Sequence, residues 1–242
     1  MSTITIDGRI LFAGDWHGNL RAVEFCIDKA KKAGCVAIVQ LGDFGYGWDI
    51  VEDGCRFTKK VSLAAQAAGI PIYWIDGNHE NFDHLEMSAN IHGGNPVELE
   101  PGVSYLPRGT VLVLNGMKAL AVGGGYSIDK AYRVPGVTWW PQEETTFVDV
   151  EIARNIGPVD VVLAHDVCKT GFEIMRTLSA GLNVSMPAPA RNRALLEFVL
   201  DSGRPSFWFH GHYHMSYHAP YGGTIFRGLN KERDEGSTLV FG

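Results

Sequence analysis

The sequence has few of the features that mark a disulfide scaffold or a membrane protein. It contains four cysteines among 242 residues, and none of them forms a Cys-x-x-Cys pair. No apolar run approaches the roughly 20 residues that cross a bilayer. The first residues also lack the basic segment and apolar stretch of a secretory signal. We therefore expect a cytoplasmic protein with reduced cysteines and no membrane partner.

The chain also has fewer basic than acidic residues. The chain has 21 Lys and Arg against 27 Asp and Glu, which gives a formal net charge of -6. Proteins that follow long nucleic acids neutralise many phosphates, so a long nucleic acid is an unfavourable partner for this chain. Hydrophobic residues make up 45% of the sequence, an ordinary value for a folded core. We expect a single domain over residues 1–242.

Short apolar runs recur along the chain, and each ends in a polar cluster. The five runs are RILFAGD, CVAIVQLGD, IPIYWIDGN, VDVVLAH and PSFWFHGHYH. Unbroken apolar runs suit strands that are buried on both faces. Helical patterns lie between them, at about 20–33, 52–68, 143–155 and 188–201. This alternation indicates an α/β protein.

A second type of sequence pattern indicates antiparallel strands. Asn115 and Gly116 separate two apolar runs and form the strongest short hairpin signal. The C-terminal segments MSYHAP, TIFRGL and STLVFG also read as antiparallel strands. Two sheets packed face to face, with helices outside, are consistent with both the alternating strand–helix pattern and the antiparallel pattern.

The polar clusters collect side chains that bind metals. The candidates at the strand ends are Asp15 and His17 in GDWHG, Asp43 in GDFG, Asn78 and His79 in GNHE, His165 in LAHD, and His212 and His214 in GHYH. Imidazole and oxygen ligands without a thiolate suit Mn, Fe or Zn. One such cluster alone also fits a turn with incidental ligands. Five clusters, each at the end of a separate strand, favour a metal site.

The order of these motifs resembles that of the calcineurin-like metallophosphoesterases, over positions 14 to 214. The resemblance implies a four-layer αββα sandwich, in which two mixed β-sheets are flanked by helices. It also implies two divalent metal ions, for which we favour Mn. The first ion would be bound by Asp15, His17 and His214, the second by Asn78, His165 and His212, and both by Asp43. His79 would face the substrate as the catalytic histidine.

Two metal ions about 3.5 to 4 Å apart can clamp a phosphoryl group and activate a water. We therefore expect attack by a metal-bound hydroxide on phosphorus, with His79 protonating the leaving oxygen or contacting the phosphoryl group. The protein phosphatases of this superfamily carry Asp and Arg where this chain has Tyr46 and Gly47. Without that arginine, a diester of modest charge is easier to accommodate than a dianionic monoester.

These considerations predict a phosphodiesterase that acts on small nucleotides, including cyclic ones. Two alternatives stay open. One is a phosphomonoesterase or protein phosphatase with the same chemistry, and the other is a catalytically silent metal-binding scaffold. The sequence does not reveal the oligomeric state or what orients His79.

Two inserts, at about 124–142 and 166–190, are expected to shape the substrate pocket. The first contains Arg133, Trp139 and Trp140, which could hold a phosphate and stack on a base. The alternative for both tryptophans is that they pack against the start of the next helix.

Overall fold

The computed structural model describes residues 3–51, 54–91, 95–179 and 190–242. Its strands and helices alternate as the sequence indicates. The strands are β1 (Ile4–Ile6), β2 (Ile10–Ala13), β3 (Ala37–Gln40), β4 (Ile50–Val51), β5 (Gly54–Cys55), β6 (Ile72–Trp74), β7 (Val97–Glu100), β8 (Val103–Tyr105), β9 (Val111–Leu114), β10 (Met117–Val122), β11 (Val161–Ala164), β12 (Phe207–His210), β13 (Tyr217–Tyr221), β14 (Thr224–Gly228) and β15 (Thr238–Phe241). The helices are α1 (Leu20–Ala33), α2 (Arg56–Ala68), α3 (Phe82–Ile91), α4 (Phe147–Ile156), α5 (Lys169–Leu178) and α6 (Ala190–Gly203).

The strands form two mixed sheets. Six strands lie in the order β15-β2-β3-β6-β8-β7, and seven in the order β1-β9-β10-β11-β12-β14-β13. Within the first sheet β2, β3, β6 and β8 run parallel, and within the second β10, β11, β12 and β14 run parallel. The carboxyl ends of each parallel set therefore lie at one edge of its sheet, where α/β proteins place their sites.

The two sheets pack face to face through a shared apolar core. Phe12 and Val39 from the first sheet join Leu163 and Phe209 from the second in this cluster. The rings of Phe12 and Phe209 are 4.5 Å apart. All four residues of β2 are buried, which explains why the apolar runs of the sequence are unbroken.

Helices cover the two outer faces. Helices α1 and α2 pack on the six-stranded sheet, while α4, α5 and α6 pack on the seven-stranded sheet. The predicted four-layer αββα sandwich is confirmed. That residues 1–242 form one domain stays a prediction. Among the described residues, no helix is both long and apolar enough to span a bilayer.

Helix boundaries differ from the predictions where capping residues decide them. The helix predicted at 20–33 is confirmed, with Asn19 as its N-cap and Gly34 as its C-cap. The helix predicted from 143 instead begins at Phe147, because Thr146 and Asp149 form a capping box and Pro141–Glu143 is a separate 3-10 turn. The helix predicted at 52–68 is present as α2 but begins only at Arg56, because Gly54–Cys55 forms β5, and the helix predicted from 188 is present as α6. Residues 52, 53, 188 and 189 lie outside the described part of the chain.

The predicted hairpin is confirmed between β9 and β10, where Asn115 and Gly116 have φ angles of 51° and 78°. Positive φ at both central residues is what a type I′ turn requires. The C-terminal prediction needs a correction for one strand. β13 pairs antiparallel with β14 and β15 pairs antiparallel with β2, but β14 also pairs parallel with β12. The extra parallel pairing follows from insertion of β14 between β12 and β13.

Candidate metal centre

The loops after five parallel strands converge at one place. They follow β2, β3 and β6 of the first sheet and β11 and β12 of the second. Together they bring in all the side chains that were predicted as metal ligands, namely Asp15, His17, Asp43, Asn78, His165, His212 and His214. Segments almost 200 residues apart in sequence therefore meet, and the ligand set itself stays a prediction.

One group of candidate ligands surrounds Asp15, which is fully buried. Nε2 of His214 lies 3.0 Å from Oδ2 of Asp15, and Nε2 of His17 lies 3.9 Å from the same oxygen. Ligand atoms of the three residues all lie within 4.8 Å of one another. A carboxylate with two imidazoles at this spacing is a donor set suited to a divalent ion.

Asp43 joins this group to a second one. Its Oδ2 lies 3.3 Å from Nε2 of His17, and its Oδ1 lies 3.3 Å from Nε2 of His165. Oδ1 also accepts hydrogen bonds from the backbone N–H groups of Asn78 and His79, both at 2.8 Å. Burial by itself raises the pKa of Asp43, but the neighbouring histidines hold it well below its usual range. Asp43 is therefore an ionised carboxylate whose two oxygens face two different clusters.

The second group is built around His165, which is fully buried. Its Nδ1 lies 2.8 Å from the carbonyl oxygen of Leu41, which can only accept, so Nδ1 carries a hydrogen. The other ring nitrogen, Nε2, faces Oδ1 of Asn78 at 3.0 Å and carries a lone pair when the ring is neutral.

Two acceptors this close, beside the Asp43 carboxylate, are unfavourable unless a proton or a metal cation lies between them. Burial lowers the pKa of His165, yet Asp43 and Asp15 raise it to about 10. The ring of His212 lies 4.9 Å from that of His165, and burial lowers the pKa of His212. The donor set therefore fits a divalent cation at this position.

The backbone is strained at several of these residues. His17, Asp43, His212 and His214 have φ angles of 48°, 54°, 67° and 49°. The left-handed region is uncommon for residues other than glycine, and such strain is concentrated at functional sites. Gly42, with φ 89°, lies so close to His165 that an added Cβ would be 2.6 Å from Cγ of that ring. Only glycine fits there.

Sequence reasoning missed Glu80, which directly follows His79 in the GNHE motif. The side chain is fully buried and accepts hydrogen bonds from the backbone N–H groups of Phe44, Gly45 and Tyr46 at 2.8, 2.9 and 2.9 Å. The loop that follows Asp43 is thereby fixed by a residue of another strand end. Burial, together with Asp43, raises the pKa of Glu80 to about 7. The sequence offered one indication of this contact, namely that an acidic residue and a glycine-rich loop both follow strand ends.

His79 lies at the rim of the cluster. One of its ring nitrogens is within 4.8 Å of ligand atoms of His17 and Asp43, so distance alone fits either a ligand or a substrate-facing group. Nη2 of Arg133 lies 3.0 and 3.1 Å from the two ring nitrogens of His79. Burial is the largest cause that lowers the pKa of His79, and the Arg133 guanidinium adds to it. A guanidinium so close also disfavours a metal cation on the same ring.

A cleft of about 310 Å³ opens over the cluster. Its lining includes Asp43, Asn78, His79, Tyr126, Ile128, Asp129, Arg133, His212, Tyr213 and His214. Arg133 belongs to the first predicted insert and is held by an ion pair of 2.9 Å with Asp129. This insert supplies Tyr126, Ile128, Asp129 and Arg133 to the lining.

The two tryptophans of the insert are not brought to the cleft in the described structure. Trp140 is 3% exposed and packs in the apolar cluster under α1 and α2, with its ring 5.7 Å from that of Trp48. Nε1 of Trp139 donates a hydrogen bond of 2.6 Å to Oε1 of Glu143. Trp140 is therefore part of the interior and Trp139 is half-buried against Glu143, so a substrate-binding role of either tryptophan stays a prediction.

The second insert contacts the site through Asp166, which follows His165. Its buried carboxylate accepts hydrogen bonds from the Tyr213 hydroxyl at 2.6 Å and from Nδ2 of Asn192 at 2.5 Å. Tyr213 lies between His212 and His214, so Asp166 anchors the loop that carries both histidines. Residues 180–189 of this insert lie outside the described part of the chain.

Two curated proteins are similar to this chain in sequence. The lariat debranching enzyme of Drosophila pseudoobscura pseudoobscura is 24% identical over 245 residues, which cover 87% of this chain and 43% of that protein. The lariat debranching enzyme of Entamoeba histolytica is 24% identical over 177 residues, which cover 65% of this chain and 46% of that protein. The chain thus spans less than half the length of both relatives.

Solved structures share the fold. A protein of Thermus thermophilus superposes with a TM-score of 0.56 at 14% identity, covering 92% of this chain and 89% of that one. A putative 5'-nucleotidase from Staphylococcus aureus superposes with a TM-score of 0.50 at 14% identity, covering 97% of this chain and 51% of that one.

The family model of the calcineurin-like phosphoesterases matches residues 8–216, which include every strand end of the metal cluster. The match covers most of the chain and agrees with the two-sheet architecture. The chain therefore belongs to the calcineurin-like phosphoesterase family, a family of phosphate-ester hydrolases.

Proposed function

We propose that this protein is a metal-dependent phosphodiesterase that hydrolyses small nucleotide diesters, including cyclic ones, with two divalent ions, of which Mn is favoured over Fe or Zn. The observation that carries this proposal is the position of Asp43. One of its oxygens faces His17 and the other faces His165, each at 3.3 Å. A carboxylate whose two oxygens face two ligand groups in this way is suited to contact a pair of cations.

In this proposal Asp15, His17 and His214 hold one ion, Asn78, His165 and His212 hold the other, and Asp43 contacts both. When bound, the ions polarise the phosphoryl group and lower the pKa of a bound water. The protein itself holds these ligands in position. Four of them have a left-handed backbone conformation, and the buried Glu80 fixes the loop that follows Asp43.

His79 and Arg133 act on the substrate. His79 donates a proton to the leaving oxygen, a contribution typically of about 10²- to 10⁴-fold. Arg133 is 11% exposed in its side chain and lines the same cleft, so it is placed to contact the phosphoryl oxygens. An arginine from the insert would thus serve in place of the one that protein phosphatases carry at the position of Gly47, so the preference for a diester no longer rests on the absence of that arginine.

Three observations favour a diester of modest size over the alternatives. The two sequence relatives are named as lariat debranching enzymes, and debranching a lariat breaks a phosphodiester. The cleft of about 310 Å³ is at the small end of ligand sites. The net charge of -6 does not favour a long polyanion. The described cysteines are all unpaired, which supports our proposal of a cytoplasmic location.

The test is hydrolysis by metal-stripped protein before and after addition of Mn²⁺. We expect the restored protein to cleave bis(p-nitrophenyl) phosphate more efficiently than p-nitrophenyl phosphate, and to cleave at least one cyclic nucleotide. Asp43→Asn should abolish the restored activity, while Asp28→Asn, at an exposed position of α1, should retain it.

Each alternative has its own outcome. A clear preference for the monoester would replace the diesterase proposal with a phosphomonoesterase. Bound Mn²⁺ without hydrolysis of either ester would identify a silent scaffold. Equal activity of Asp43→Asn and wild type would overturn the shared role of Asp43.

A further inference from the structure

The first insert also packs directly against the candidate site for the second ion. An added Cβ at Gly125 would lie 3.0 Å from Cδ2 of His165, 3.1 Å from Oδ1 of Asn78 and 3.2 Å from Cε1 of His212. These are the three side chains assigned to that ion alone. The insert therefore forms one wall of this half of the site, whereas the group around Asp15 is built by other loops.

One residue of the insert contacts Asn78 through a hydrogen bond. Nδ2 of Asn78 donates to Oγ of Ser127 at 3.0 Å, and both residues are buried, with exposures of 5% and 2%. Ser127 is in turn linked to Glu143 through its backbone N–H, which donates to Oε1. The oxygen of a serine hydroxyl has lone pairs that can accept, so Ser127 is a suitable partner for the amide N–H of Asn78.

Glu143 is held in place by further donors. It is fully buried, and its Oε1 accepts hydrogen bonds from the backbone N–H of Ser127 at 3.3 Å and from Nε1 of Trp139 at 2.6 Å. The insert thus contains a chain of hydrogen bonds that runs from Trp139 through Glu143 and Ser127 to Asn78.

The bond to Ser127 holds the amide nitrogen of Asn78 on the side of the insert. The oxygen and nitrogen of an asparagine amide have nearly the same shape, so packing alone does not distinguish them. With Nδ2 committed to Ser127, Oδ1 is directed toward Nε2 of His165, at 3.0 Å. Only the oxygen can bind a cation.

We propose that Ser127 is a positioning residue for Asn78, held in place by Glu143, and that it sets the affinity of the second metal site. The inference rests on the proposed metal pair. Residues that orient metal ligands typically change metal affinity by about 10- to 100-fold when they are removed. The group of Asp15, His17 and His214 has no described contact with Ser127, so the first site should not depend on it.

The experiment is a titration of metal-free protein with Mn²⁺ at about pH 8, where Glu143 is ionised because burial raises its pKa only to about 7. Free Mn²⁺ is followed by its EPR signal. We expect two sites in the wild type. In Ser127→Ala one of the two sites should lose about 10- to 100-fold in affinity, while the other changes by less than about threefold.

Ser62→Ala is the matched control, because Ser62 is also buried and also makes two hydrogen bonds, with Pro101 and Gln66 on the far side of the sheet. It should keep both affinities. Glu143→Gln should weaken the second site less than Ser127→Ala does, because an amide oxygen is a weaker acceptor than a carboxylate. Thermal unfolding of the metal-free variants shows that each is folded.

The outcomes separate this inference from the proposed function. Unchanged Mn²⁺ affinities in folded Ser127→Ala would overturn the inference even if the wild type hydrolyses diesters. A wild type with two Mn²⁺ sites but no esterase activity would overturn the proposed function, and a weakened second site in Ser127→Ala would still support the inference. A wild type with a single Mn²⁺ site would overturn both.

Discussion

Replacement of Glu80 tests how the loop after Asp43 is held. Its two carboxylate oxygens accept four backbone hydrogen bonds, from Phe44 at 2.8 Å and Gly77 at 3.3 Å on one oxygen, and from Gly45 and Tyr46 at 2.9 Å on the other. A glutamine has one oxygen, so in Glu80→Gln two of the four N–H groups must face an NH₂ group. Its best orientation keeps the pair of 2.9 Å bonds and gives up the other two.

The size of the effect follows from the burial of these groups. An unsatisfied buried donor costs about 1 to 3 kcal/mol, so two of them should cost about 2 to 6 kcal/mol in the free energy of unfolding. The long bond from Gly77 is the weaker of the two lost, and relief of a buried charge offsets part of the loss. We therefore expect about 2 to 4 kcal/mol for Glu80→Gln, and more for Glu80→Ala, which loses all four bonds.

The assay is urea unfolding of the metal-free variants at about pH 8.5, where Glu80 is ionised in the wild type because its pKa is raised only to about 7. Glu86→Gln is the control, because Glu86 is exposed on α3 and its removal should change stability by no more than about 0.5 kcal/mol. A Glu80→Gln variant as stable as this control would refute the reasoning that Glu80 holds the loop.

Three further predictions concern the site. His79→Ala should reduce turnover of the Mn-loaded protein by about 10²- to 10⁴-fold and leave the number of bound Mn²⁺ ions, counted by elemental analysis, unchanged; loss of metal would instead make His79 a ligand. Gly42→Ala should abolish Mn²⁺ binding in an EPR titration, because its Cβ would overlap the ring of His165, and retained binding would show that the loop can yield. Cys168 is fully buried, and burial raises the pKa of its thiol, so Cys168→Ala should keep diester turnover within about threefold; a larger loss would indicate that the thiol takes part in the reaction.

The positions of the candidate ligands could be predicted from the sequence, because they depend only on which residues directly follow each strand. Apolar runs that are buried on both faces become parallel strands, and polar residues that directly follow them lie at one edge of the sheet. Asp15, Asp43 and His165 each follow such a run, and the structure brings them within 4.8 Å of one another. The hairpin at Asn115 and Gly116 was equally accessible, since both residues tolerate positive φ.

Side-chain contacts between residues far apart in the chain could not be predicted from the sequence. Nothing near Gly45 in sequence indicates that Glu80 accepts its N–H, and the contact of Arg133 with His79 joins residues 54 positions apart. The burial of the tryptophans could not be predicted from the sequence either. An exposed loop and a buried one can have the same composition, and only the packing of Trp140 under the helices decided that it is 3% exposed.

Three features could be predicted from the amino-acid pattern alone: the layered α/β architecture, the strand ends that carry the candidate ligands, and the family. These features follow from the period of apolar residues and from short motifs, which act over a few neighbouring positions. The groups that contact those ligands or their loops are seen only in the folded chain: Glu80 for the loop of Asp43, Ser127 for Asn78 and Asp166 for the loop of His212 and His214. The physical reason is that a hydrogen bond between distant segments depends on their arrangement in space, which no local pattern encodes.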